Sequence, residues 1–252
     1  MRNELASFLL AVQFLTRLSV RSGDIYTPDR MTASVRYYPL VGALVGGISA
    51  GVFFLASMLF PVLITVLLAI AVGLVITGAF HEDGLADTFD GIGGALTREK
   101  ALSIMKDSRL GTYGTLALVT ALSLKFAALI ALPLTVIPLA LVVGHGLSRL
   151  SSVMVIASSR YVRDEGTGKP VASGISPASI IVAIATGALV FALFCVWVPP
   201  FAAICALTGL GIGHALMRLF FEPKLGGYTG DTLGAVQQAS EIGFYLGLVA
   251  WL

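Results

Sequence analysis

Residues 62–91 read VLITVLLAIAVGLVITGAF followed without a break by HEDGLADTFDG. The first nineteen carry no charge, and about 20 such residues cross the ~30 Å hydrocarbon core of a bilayer as a helix. The next eleven hold four of the chain's fourteen acids. On a helix, positions 83, 87 and 90 follow the i, i+4, i+7 rule, so Asp83, Asp87 and Asp90 share one face while Glu82 points about 100° away. Three aligned carboxylates repel one another unless something positive sits among them. An all-oxygen set suits a hard cation such as Mg²⁺ or Mn²⁺. The bland alternative is a solvated helix start whose first-turn acids favour the macrodipole, but Gly84, Gly91, Gly93 and Gly94 open the same run to close approach by a bulky ligand. The stretch therefore reads as a membrane segment that opens onto a metal site.

Working outward, the 252 residues are 57% hydrophobic and 12% charged, with a mean hydropathy of +0.93. That is far outside the soluble range. Spans are expected near 37–60, 62–80, 114–132, 134–157, 178–198 and 200–221, with a shorter seventh near 238–252. The fold class expected is all-α: a polytopic integral membrane helical bundle of six to seven transmembrane helices, forming one membrane-embedded domain over 1–252. Apolar residues 5–15 are too few to span and are followed by Arg17 with no cleavage site, so they predict an N-terminal interfacial or re-entrant helix rather than a signal peptide. A net charge of +2 without a basic run excludes nucleic acid as a partner. Cys195 and Cys205, both within apolar segments and without a ligand-spaced partner, read as inert. Gly42, Gly46, Gly47 and Gly51 predict close helix packing in the bilayer.

The joints at Pro61, Pro133 and Pro199–Pro200 are short and uncharged, so the spans pair as hairpins. Arg2, Arg17, Arg21, Arg30 and Arg36, then Arg98, Lys100, Lys106 and Arg109, then Arg160, Arg163 and Lys169, and finally Lys224 all fall at the opposite ends. The positive-inside rule makes that side cytoplasmic. Every acid is expected there too, which leaves one chemically active face and argues against a transporter. The segments 144–150 (GHGLSRL) and 213–219 (GHALMRL) match at five of seven positions, suggesting an internal repeat of the hairpins 114–157 and 178–221.

Near the acidic run, Lys106-Asp107-Ser108-Arg109-Leu110-Gly111-Thr112-Tyr113-Gly114 gathers cations, hydroxyls and glycines suited to phosphate oxygens, with Arg109 able to grip two at once. Arg149 and Arg218, one turn beyond His145 and His214, need anionic partners if buried. Glu82, Lys106, Asp107, Arg109, His145, Arg149 and Arg218 are therefore the candidate substrate-binding residues, and Asp83, Asp87, Asp90 and Asp231 the candidate catalytic ones. Asp231 comes from the glycine-rich loop 224–235, as a further ligand or a base. Lys125, mid-span, has no partner legible in the sequence. The loop 163–170, of mixed charge, reads as solvated surface.

Together these motifs resemble the adenosylcobinamide-GDP ribazoletransferase family, also called cobalamin-5′-phosphate synthase. The resemblance runs nearly the whole length through Phe14-Leu15-Thr16-Arg17, Tyr37-Tyr38-Pro39-Leu40-Val41-Gly42, the acidic run 81–91, the run 106–114 and Tyr228-Thr229-Gly230-Asp231-Thr232-Leu233-Gly234-Ala235. It implies a multi-pass enzyme of the bacterial inner membrane, working on its cytoplasmic face. The implied reaction joins adenosylcobinamide-GDP to α-ribazole or its 5′-phosphate and releases GMP. One or two Mg²⁺ on Asp83, Asp87 and Asp90 would suit cleavage of the donor's pyrophosphate. Oligomeric state stays open. Two rivals are a phosphatidyl-type alcohol phosphotransferase, whose D-G-x-x-A-R pattern is broken by Asp87, and a membrane transporter or binding protein for an anionic small molecule.

Overall fold

The computed structural model describes residues 2–19, 25–163, 168–171 and 174–252. Arg21 and loop residues Asp164, Glu165, Gly166 and Thr167 lie outside the described residues, as does the side chain of Arg2. Eleven α-helices follow in order among the described residues: α1 Arg2–Leu15, α2 Pro28–Ser34, α3 Tyr38–Ser57, α4 Val62–Thr77, α5 Phe80–Gly94, α6 Arg98–Ile104, α7 Thr112–Ala131, α8 Ile137–Ser158, α9 Pro177–Cys195, α10 Pro200–Leu225 and α11 Gly230–Val249. Five helices are long and apolar enough to cross a membrane: the run Pro28–Ser57 ending in α3, then α7, α8, α9 and α10. A sixth counts when α4 is taken with α5. The chain is a polytopic all-α membrane protein.

The three hairpins, α3–α4, α7–α8 and α9–α10, turn where proline ends one helix or starts the next. α3 packs antiparallel on α8, because Gly42 and Gly46, one turn apart, rest on the backbone at His145 and Leu141. Gly47 and Gly51 meet nothing within 4 Å. They fall on another face, so only half of the expected glycine seam is a contact.

Three expectations need correction. The acidic run does not continue α4: Gly78 (φ 65°) and Ala79 (φ 55°) are both left-handed, and the chain turns by 85°. α5 then lies across the charged ends of the bundle, against α6, α7 and α11. The last helix starts at Gly230, not near 238. Thr229 caps it, accepting from the Thr232 N–H while Thr232 Oγ1 accepts from the Thr229 N–H. α11 is 20 residues long and sits centrally, packed on α10, α5, α8 and α7. Buried Gln237, Gln238 and Glu241 in its middle keep it out of the five helices long and apolar enough to cross a membrane. Glu241 is thus an acid deep in the bundle, against the expectation that all acids sit at the charged face.

Candidate active site

Asp90 organises the local backbone. Buried, it accepts the Gly111 N–H at 2.7 Å and the Gly114 N–H at 2.8 Å, one with each oxygen. These are donors that the first turn of α7 would otherwise leave unpaired, and a negative charge there also meets the positive end of the helix dipole. A side chain at 114 would stand 2.9 Å from the Ala86 carbonyl and 3.0 Å from Asp90 Cγ, which explains the glycine. The run 106–114 is therefore fastened to the acidic helix through Asp90.

Gly84 performs a similar service for α11. A Cβ there would stand 2.6 Å from the Asp231 carbonyl oxygen, so its absence lets the first turn of α11 settle on α5. Asp83, Asp87 and Asp231 consequently form one electrostatic group. Asp83 is exposed and lines an open pocket of about 660 Å³ with Gln13, Phe14, Thr16, Arg17 and Phe80. Half-buried Asp87 has its carboxyl pushed up to about 7, first by desolvation and then by the charges of Asp231 and Asp83, with Arg163 opposing. Arg163 Nη2 lies 2.6 Å from Asp231 Oδ2. Arg163, first residue of the run 163–170 that the sequence reads as plain surface, thus brings a guanidinium into the acidic group.

The donor chemistry fits a hard divalent cation: all oxygen, three carboxylates, and a surplus of negative charge that adds to burial in making Asp87 hard to ionise. Among the described residues no three acidic, histidine or cysteine side chains are gathered closely enough to hold a metal as they stand. Arg163 occupies part of that role at Asp231.

Beneath this group runs a buried polar network that the sequence did not disclose. Lys125 Nζ donates to Gln238 Oε1 at 2.9 Å and lies 3.0 Å from Glu241 Oε1. Glu241 also accepts from Gln237 Nε2 at 2.6 Å and the Tyr245 hydroxyl at 3.1 Å, with His145 Nδ1 at 3.5 Å. Gln238 Nε2 donates to Glu82 Oε1 at 2.8 Å, tying the network to α5. Arg149 is buried and donates to the His145 carbonyl at 3.0 Å. Glu241 and Glu82 are the carboxylates whose charge reaches it. Glu241 thus answers the need for a partner at Lys125, whereas Arg149 is held by His145 and feels the two carboxylates only through their field.

Sequence comparison bears on what such a site does. A family description of cobalamin-5-phosphate synthases matches residues 7–249. The chain belongs to that family. Among its relatives, the adenosylcobinamide-GDP ribazoletransferase of Shewanella frigidimarina (strain NCIMB 400) is 44% identical over 253 residues, covering 98% of this chain and 95% of the relative. The protein of the same name from Leptothrix cholodnii is 44% identical over 256 residues, covering 98% and 96%. That of Shewanella woodyi is 40% identical over 260 residues, covering 100% and 98%. No solved structure matches.

For this cobalamin-5-phosphate synthase family member, the structure sorts the residues expected at the site into three groups and one outlier. Asp83, Asp87, Asp90 and Asp231 are brought together at the charged end. Glu82, His145 and Arg149 form the layer below, with His81 buried beside them. Lys106, Asp107 and Arg109 lie on the surface run that Asp90 fastens. Arg109 Nε is 3.0 Å from Asp107 Oδ1, and that pairing holds the Asp107 carboxyl down to about 2. Arg218 stands apart, 2.9 Å from Glu222 one turn on and 3.0 Å from Ser158 Oγ. Arg163, Lys125, Gln238 and Glu241 were not among the expected site residues. Lys125 alone gave a signal, as a charge within an apolar helix.

Proposed function

We propose that this chain transfers the adenosylcobinamide-phosphate moiety of adenosylcobinamide-GDP to α-ribazole or α-ribazole 5′-phosphate, releasing GMP. The observation that carries the reading is the group Asp83, Asp87 and Asp231, beside Arg163 and an open pocket, in a chain of this family. The charged end faces the cytoplasm at the bacterial inner membrane, as the distribution of Lys and Arg supports. The lipid bilayer surrounds the apolar helices.

Asp83, Asp87 and Asp231 would hold Mg²⁺ there; Asp90, expected as the third ligand, has one oxygen on the Gly111 N–H and the other on the Gly114 N–H, and fixes the backbone around them instead. When bound, the ion supplies neutralising charge for a pyrophosphate and its leaving phosphate. The open pocket beside Asp83 receives the donor, and Arg17 lines it as a nearby cation. The hydroxyl oxygen of the ribazole attacks the phosphorus attached to cobinamide. Its proton passes to a carboxylate of the cluster, and the bond to the oxygen shared with GMP breaks. Lys106 and Arg109, exposed on the run fastened by Asp90, would meet phosphate oxygens from outside, Arg109 in exchange for its pairing with Asp107.

The test is GMP release by the purified protein in nanodiscs. Release that needs adenosylcobinamide-GDP, α-ribazole and a divalent cation together supports the reading. Absence of release from folded protein under every condition overturns it and favours an anion-binding or transport role, for which the buried Lys125, Arg149 and Glu241 would be the natural starting point.

A further inference from the structure

Arg163 is the most unusual side chain in the acidic group. Its side chain is 10% exposed, yet it belongs to a loop beyond α8 rather than to a helix. The loop is held by a short parallel bridge: the Tyr228 N–H donates to the Arg160 carbonyl at 2.9 Å, and the Val162 N–H donates to the Tyr228 carbonyl at 3.0 Å. Tyr228 lies three residues before Asp231, so the bridge sets Arg163 over the start of α11. There the guanidinium meets Asp231 at 2.6 Å through one nitrogen.

That pairing uses a small part of what arginine offers. A guanidinium carries five N–H donors in a rigid fork, and Arg163 Nε and Nη2 are both buried with no hydrogen-bond partner among the described residues, the contact of Nη2 with Asp231 being an ion pair without hydrogen-bond geometry. The Tyr161 hydroxyl is also buried without a partner, and the charges of both Arg163 and Asp231 act on it. A loop arginine whose whole task was to lock Asp231 would be expected to satisfy Nε and Nη2, because an orphaned buried donor is destabilising. Three unmatched donors beside a carboxylate group, Arg163 Nε and Nη2 and the Tyr161 hydroxyl, describe a site that awaits an acceptor with several oxygens. A phosphate presents three and takes an arginine fork in bidentate fashion.

We propose that Arg163 is a phosphate-binding residue of this site, parked on Asp231 in the substrate-free chain and transferred to the donor's pyrophosphate on binding. The inference rests on the transferase reading above and deepens it. It assigns Arg163 two successive partners, and it makes Asp231 and the donor competitors for one guanidinium. Release of Asp231 by the same exchange leaves its carboxylate available when the substrate arrives.

The test uses full-length protein in nanodiscs, in EDTA. Retained adenosylcobinamide-GDP is measured by its visible absorbance after ultrafiltration, with adenosylcobinamide lacking the GDP group as control. Arg163→Gln is expected to weaken binding of the GDP-linked donor about tenfold or more, the scale of one lost charge-assisted contact. Arg163→Lys should fall between, since it keeps the charge and loses the fork. Asp231→Asn, which frees the guanidinium, should tighten donor binding roughly threefold, and adding Arg163→Gln should erase that gain. The control ligand should bind all variants alike. Equal donor binding by wild type and Arg163→Gln overturns the proposal, as does an equal loss for the control ligand, which would mark a purely structural pair. If wild type neither binds the donor nor releases GMP when supplied with acceptor and Mg²⁺, the transferase reading itself fails. If wild type does both while the variants match it, the assignment of Arg163 alone is lost.

Discussion

Replacing Lys125 by Met should reveal how far the acidic helix depends on charges buried beneath it. Lys125 Nζ and Glu241 Oε1 are 3.0 Å apart, with side chains 5% and 0% exposed. Removing one partner of such a pair typically destabilises by about 3–5 kcal/mol, because the other charge stays buried and uncompensated. Glu241 keeps the Gln237 and Tyr245 donors, which places Lys125→Met near the lower end, at about 3 kcal/mol. Glu241→Gln should cost about as much, leaving Lys125 with Gln238 and with Glu82 at 3.9 Å. The double variant removes both charges and should be no worse than the more damaging single one, a coupling of at least about 3 kcal/mol. Reversible unfolding in mixed micelles, driven by SDS and followed by circular dichroism, measures all four proteins. A loss below about 1 kcal/mol for Lys125→Met, or single losses that simply add, would refute the reasoning.

Other outcomes follow from the cluster itself. Gly114→Ala, whose methyl would press on Asp90 and the Ala86 carbonyl, should destabilise by about 1–3 kcal/mol in the same unfolding assay and lower turnover. Asp90→Ala strips two backbone donors of their acceptor and should cost about 1–2 kcal/mol, with a raised KM for the donor in steady-state kinetics. Because the Asp87 carboxyl is pushed up to about 7, the metal-free fold holds that proton more tightly than the unfolded chain. Its contribution to stability is present below about pH 4 and lost as pH rises towards 7, so the melting temperature in EDTA should decline over that window and Mg²⁺ should restore it near pH 7.5. Mn²⁺ affinity, read by electron paramagnetic resonance, should rise over the same interval. Asp83→Asn removes a like charge from Asp87 and should shift that midpoint to lower pH.

The hairpins were legible because proline and the lack of charge are local signals. The acidic face was legible because spacing along a helix places side chains directly. The break between α4 and α5 carried a local signal too, since Gly78 follows the last apolar turn as a helix stop would. Continuous hydropathy across 62–80 outweighed it. A start near 238 is too late for α11 because the glycine-rich run 224–235 looks like a loop when read alone, and Gln237, Gln238 and Glu241 dilute the apolar signal beyond it. They are tolerable inside a helix because Lys125 stands 113 residues from Gln238 in sequence yet within hydrogen-bonding reach in space. Arg163 was illegible for the same reason: the bridge between Arg160–Val162 and Tyr228 places it, and nothing in its mixed-charge loop distinguishes it from surface.

The central claim is that the carboxylate group on α5 and at the start of α11 carries the transfer. Its most direct test is acceptor-dependent GMP release by Asp87→Ala at saturating Mg²⁺, in a preparation whose circular dichroism and melting temperature match wild type. The account predicts turnover reduced by about a hundredfold or more, the scale of several kcal/mol of lost stabilisation at the reacting phosphate. Near-normal turnover by that folded variant would contradict it.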